Sequence, residues 1–169
     1  MTPTKGLMVP IACLSVGLCA CVAAPPPQSP TMTVAIALLV NAGNPAYSGK
    51  AVGCDKVVLV TRPVAQTTDP LTAAMQVLFA RQDPWRPWDN VPGNFLSTQT
   101  NLDFDRAVLY GGVAQIMLTG GLGPLGGACD DPRTRAEIEQ TALQVPGVSA
   151  VEIFLDGKTT TLLRPAAGP

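Results

Sequence analysis

LDFDRAVLYGGVAQIMLTGG, Leu102 to Gly121, is the stretch that decides the fold. Two apolar runs rich in strand formers, LDFDRAVLY and VAQIMLTG, flank Gly111-Gly112, and a glycine pair between two such runs signals a two-residue hairpin. In the first run Phe104, Arg106, Val108 and Tyr110 alternate with Asp105, Ala107 and Leu109. The alternation is imperfect, which suggests a sheet partly covered on both faces.

Upstream, TMTVAIALLVN (Thr31 to Asn41) reads as a buried strand, and NAGNPAYSG as a loop dense in Gly, Asn and Pro. Lys56 to Thr61 is a second strand, which Pro63 is expected to stop. Asp69-Pro70 then opens a helix, with Asp69 as N-cap and Pro70 at the first helical position. Leu71, Ala74, Met75, Leu78 and Phe79 form its apolar stripe. Arg81 to Thr100 reads as irregular.

Downstream, Asp131-Pro132 repeats the Asp-Pro helix start, and Ile138, Thr141, Ala142 and Val145 make a second stripe that ends at Pro146-Gly147. VSAVEIFLDGKTTTLLR is a hairpin turning at Asp156-Gly157. The order is β-β-α-β-β-α-β-β. Without strict alternation this predicts α+β: a compact single domain with a mixed or antiparallel sheet and two helices packed on it.

Between the central hairpin and the second helix, GLGPLG (Gly121 to Gly126) fits G-x-G-x-x-G, the letters of a dinucleotide fingerprint. Pro124 removes a backbone donor from it. Asp130 and Asp131, read as capping the helix, would repel a phosphate at its start. The strand before it reads as one arm of a hairpin, whereas a dinucleotide crossover needs parallel strands. The stretch is therefore read as a loop, and no nucleotide or other cofactor is expected.

The chain has 169 residues, a net charge of −1 and no histidine. Its size suits one domain with leader and linker, and its charge offers no basic surface for nucleic acid. The missing histidine takes away the usual general base and the commonest metal ligand. Asp103 and Asp105 alternate along a strand, and as a pair on one face they would suit a glycosidase or a calcium site. With no further acid at suitable spacing they read as a solvated strand entry. Ser97, Thr98 and Thr100 have no evident base to activate them. No catalytic residue and no metal ligand is assigned. Trp85 and Trp88, with Arg86 between them, suit a partner-binding surface, since Trp and Arg are favoured at hot spots. The competing reading folds the indoles back over the core.

The first 22 residues, MTPTKGLMVPIACLSVGLCACV, carry one positive charge, Lys5, and an apolar run too short for a comfortable membrane span. They read as a signal peptide ending in Leu18-Cys19-Ala20-Cys21, which resembles a bacterial lipobox with lipid attached to Cys21. Cys19 fits less well because bulky Leu18 precedes it. The alternatives are ordinary cleavage near Ala23-Ala24, with an unfavourable Pro25 after the cut, and an uncleaved anchor. A diacylglycerol with palmitoyl-type chains would hold the protein firmly, where one acyl chain would not. AAPPPQSPT, with Pro25, Pro26, Pro27 and Pro30, is a semi-rigid spacer. The expected organisation is signal peptide 1–20, Pro-rich linker 21–32, folded domain 33–164 and disordered tail 165–169. Cys54 and Cys129 remain as an even pair in an exported domain and read as a disulfide. Closing a loop of about 75 residues, it would contribute roughly 4 kcal/mol in the chain-entropy model. The alternative, a metal site on two cysteines, lacks partners.

VVLVTRPV followed by DPLTAAMQVLF, then LDFDRAVLYGGVAQIMLTGG, then AEIEQTALQVPGVSAVEIFLDGK, in this order and spacing, resemble the GerMN domain, the sporulation and spore germination module of bacterial lipoproteins. The resemblance runs from about Thr33 to Lys158. It implies a compact domain akin to ring-building motifs, with a non-enzymatic role in envelope remodelling, sporulation or germination. It places the protein at the outer face of the cell membrane or the periplasmic side of an outer membrane. An envelope protein or self-association is the partner expected. The chain departs from the family in carrying one copy, where the founding germination protein has two, and in its RQDPWRPWDN segment. The alternative function is an envelope glycan-binding protein or hydrolase using the acids near Asp103 and Asp105.

Overall fold

Eleven residues of dense β-branched and aliphatic character, Thr31–Asn41, form strand β1. The computed structural model describes residues 29–80, 83–84, 86, 91–123 and 129–162. From Ile36 to Val40 both faces of β1 are buried, which is why this run shows no polar alternation. A short strand β2, Lys50–Val52, and a long strand β3, Asp55–Ala65, complete a three-stranded antiparallel sheet in the order β1-β3-β2.

Strand β3 runs through Pro63, which pairs opposite Thr33, so the expected stop there is corrected. Strand β2 covers only Asp55, Lys56 and Val57 of β3. Beyond them β3 is an edge on that side, where a residue without an N–H costs no ladder bond. Local punctuation could not reveal which positions were edges.

Helix α1 is Pro70–Phe79, with Pro70 in its first turn. The Asp69 side chain accepts from the Thr72 N–H at 3.0 Å, so the expected cap is present. Leu71, Ala74, Met75 and Leu78 are buried along the expected stripe. A short helix α2, Phe95–Gln99, lies in the segment read as irregular. Strands β4, Asn101–Tyr110, and β5, Val113–Gly121, turn at Gly111-Gly112, both at positive φ, as the glycine pair requires. A bulge between Phe104 and Arg106 leaves Asp105 unpaired and accounts for the broken alternation.

Helix α3, Asp130–Ala142, begins two residues before Pro132, the expected first helical position. Cys129 holds the N-cap position and makes no side-chain capping bond, so the reading of an acid cap from Asp130 and Asp131 is corrected. Strand β6, Ala150–Leu155, is joined to β7, Lys158–Thr159, by the expected turn at Asp156-Gly157, both at positive φ. The second sheet has the order β4-β5-β6-β7, and β5 pairs with β6 in parallel. This corrects the expectation that β5 is only a hairpin arm: α3 carries the chain back to the end where β5 began, so β5-α3-β6 is a crossover unit.

One core joins the layers. It includes Ile36 and Leu38 of β1, Met75 and Leu78 of α1, Ile116 and Leu118 of β5, Ile138 of α3 and Ile153 of β6. The α+β architecture expected from the element order is the one found, with the strands divided between two sheets. The free edge of β1 is closed in two places. Leu39 exchanges two backbone hydrogen bonds of 2.8 Å with Gly93, and the Ala37 N–H donates to the Thr141 hydroxyl at 2.8 Å.

Candidate functional site

The polar features of this fold gather where the β2–β3 turn meets the start of α3. Cys54 and Cys129 form a disulfide with their Cα atoms 5.5 Å apart. The residue after each cysteine is an acid, and both acids pair with one arginine. Asp55, 2% exposed, accepts from the Arg133 Nε. Asp130 accepts from Arg133 Nη1 at 2.7 Å. The Arg133 guanidinium also lies 5.3 Å over the ring of Phe95, the first residue of α2. The bridge thus brings together two acids that are far apart in sequence, and the arginine between them pairs with both.

Glu137, one turn along α3 from Arg133, is fully buried. Its two carboxylate oxygens accept from the N–H groups of Phe95 at 2.9 Å and Leu96 at 2.7 Å, and so terminate α2. Burial pushes the Glu137 carboxyl from its ordinary 4.5 up to about 8. The two backbone bonds and the charge of Arg133 pull in the opposite direction, while Asp55 adds to the rise. Neither Glu137 nor Arg133 was singled out from sequence. The available signal was that Glu137 falls inside the second stripe, beside Ile138 and four residues before Thr141, where a solvated acid has no place.

This cluster holds one end of the segment expected to bind a partner. Asp83 pairs with Arg62 of β3, and its carbonyl accepts from the Asn94 N–H at 2.6 Å. Asn94 is buried and donates through its side chain to the Leu78 carbonyl at 2.5 Å. Arg86, between these fastenings, is exposed. Trp85 and Trp88 lie outside the described residues, as do Cys21 and the leader. Asp103 and Asp105 are exposed on β4, and Asp105 pairs with its neighbour Arg106 at 3.0 Å. Asp105 sits at the bulge, which breaks the alternation that would have put the two acids on one face. Thr100 is buried, its hydroxyl donating to the Leu96 carbonyl, and the side chains of Ser97 and Thr98 lie outside the described residues.

The glycine run has backbone causes where it is described. A Cβ at Gly120 would lie 2.1 Å from the Asn101 carbonyl oxygen, and Gly120 and Gly123 both have positive φ. Pro124 to Gly126 lie outside the described residues. The parallel β5–β6 pair withdraws one objection to a phosphate reading, while Asp130, paired with Arg133, stands at the helix start. Among the described residues no group of three or more Cys, Asp or Glu is placed to hold a metal ion. None of the described helices is long and apolar enough to cross a membrane.

No protein-family model and no curated protein matches the chain. Among solved structures it is similar to the tandem GerMN domains of the sporulation protein GerM from Bacillus subtilis, with a TM-score of 0.53 and 14% identity over 76% of this chain. The fold is GerMN-like. The chain spans 40% of the length of that neighbour. At this identity the likeness is one of fold alone.

Proposed function

We infer that this chain is a non-enzymatic bacterial envelope lipoprotein. On this reading it is anchored through lipid on Cys21, and its GerMN-like domain is a protein-interaction module for envelope remodelling of the sporulation or germination kind. The observation that carries the reading is the structural likeness to the GerMN domains of a sporulation protein. The leader ending in Leu18-Cys19-Ala20-Cys21, the Pro-rich spacer and the disulfide suited to an exported domain support it. The partner is another envelope protein or a second copy of the chain, and neither nucleotide nor nucleic acid has a part. Arg86, with Trp85 and Trp88, is the proposed contact, because the segment is fastened at both ends while Arg86 is exposed.

Cross-linking in detergent-solubilised envelope, with mass spectrometry, tests this. Trp85→Ala with Trp88→Ala should remove the cross-linked partner while leaving thermal unfolding unchanged. Loss of biological function in Asp105→Asn at unchanged stability would overturn the reading and favour glycan binding or hydrolysis through the β4 acids. Intact mass of the same sample reads the lipid on Cys21.

A further inference from the structure

Opposite the disulfide, the molecule ends in a pole built from three stretches without a charged residue: 29–35, 107–114 and 143–151. They are neighbours in space. The Ser149 N–H donates to the Gly112 carbonyl at 2.8 Å, which binds the turn after α3 to the tip of the β4–β5 hairpin. A Cβ at Gly147 would lie 3.7 Å from a methyl of Leu109. A cleft of about 210 Å³ lined by Met32, Val34, Pro70 and Val145 joins the first turn of β1 to the same place. The pole presents apolar side chains to solvent: Val108 is 43% exposed, Leu109 42%, Tyr110 79% and Leu143 38%. Charge borders the tip: Arg106 precedes Val108 by two residues on the same strand, Glu152 accepts from Gln115, the partner of Val108 across the hairpin, at 3.2 Å, and Asp69 caps α1.

A run of exposed aliphatics beside an exposed tyrosine marks an interaction surface. The start of the folded chain says what it faces. Strand β1 begins at Thr31 in this same pole, about ten residues after Cys21. An extended proline-rich spacer of that length reaches about 30 Å at most. A domain tethered there keeps this pole at high effective concentration against the surface that holds the anchor. A hairpin tip of tyrosine and aliphatic side chains, with charged groups only on its flanks, suits the boundary between headgroups and acyl chains.

We propose that the pole formed by Val108, Leu109, Tyr110 and Leu143 rests on the lipid bilayer in which the chain is anchored. The domain would then stand with its disulfide end outward. The proposal rests on lipidation of Cys21. In the mature lipoprotein Cys21 carries lipid and Cys54 and Cys129 are bridged, so an introduced cysteine is the single free thiol.

The test uses the full chain, matured in a bacterial host, checked by intact mass and reconstituted into phosphatidylethanolamine–phosphatidylglycerol vesicles with brominated acyl chains. A nitrobenzoxadiazole label is placed on Tyr110→Cys or, at the opposite end, on Lys158→Cys. The expected result is roughly twofold quenching at position 110 and none at 158, as for a group seated 5–10 Å into the interface. A lipidated protein without quenching at 110, or with equal quenching at both positions, would overturn the proposal while leaving the anchor intact. Absence of lipid mass on Cys21 would overturn the anchor itself, and the proposal with it.

Discussion

The two ends of this domain are held together by different physics. At the disulfide end, Cys54–Cys129, Asp55, Arg133, Asp130 and Glu137 form a network in which the acids are paired or hydrogen-bonded within a few ångströms. At the other end, the β4–β5 tip and the α3–β6 turn meet through the hydrogen bonds of Ser149 and Ala150 to the Gly112 carbonyl, and their larger side chains face water. The contrast separates stability from presentation. A buried ion network is strongly destabilised when one partner is removed. Exposed apolar side chains contribute little to the monomer, and their exposure needs another reason.

That contrast is easiest to break at Arg133. Arg133→Ala leaves Asp55 buried without its cation and should destabilise the domain by about 3–5 kcal/mol in denaturant unfolding. A loss under about 1 kcal/mol would mean that water already screens the pair. The Cys54→Ser, Cys129→Ser double variant should lose roughly 4 kcal/mol, the chain-entropy value for a loop of this length, with an unchanged far-ultraviolet spectrum at low temperature.

Glu137 sharpens the contrast through pH. Its folded pKa of about 8 lies above its ordinary 4.5, so between these values the folded chain holds a proton that the unfolded chain has released. Stability therefore falls as pH rises through that window, by about 1.4 kcal/mol per unit at most. Glu137→Gln should flatten the slope measured between pH 5 and pH 8. An equally steep slope in the variant would assign it to other groups. The smallest effect belongs to the opposite end. Leu109→Ser with Tyr110→Ser should change unfolding free energy by no more than about 0.5 kcal/mol, as at exposed sites. A loss above about 2 kcal/mol would show that the tip packs, and would erase the distinction between the ends.

Much of the scaffold could be read directly because its signals are local. Asp69-Pro70 announces α1, Gly111-Gly112 and Asp156-Gly157 announce two hairpins, and the stripes of α1 and α3 name their buried residues. Cys54 and Cys129 could be paired because, once the first three cysteines are read as part of a leader, these two remain as an even pair, and they form the disulfide. What could not be read was always a relation between distant segments. Pro63 looked like a stop because nothing nearby says that its side of β3 is an edge. Helix α2 was invisible because its N-terminus is satisfied by Glu137, more than forty residues away. The Arg86 segment could be noticed from its composition, but its fastening by Asp83 and Asn94 depends on Arg62 and Leu78.

The linear order of residues by itself determined the long strands, the two principal helices, the hairpin turns, the apolar faces and the α+β class, because each follows from a neighbour within a few positions. Only the tertiary structure decided that β6 lies parallel to β5, that the strands part into two sheets, and that one arginine gathers the acids beside both half-cystines. It also brought the start of β1 to the same end as the Val108–Tyr110 tip. These are choices among long-range pairings, and burial and charge compensation settle them after the chain has closed on itself.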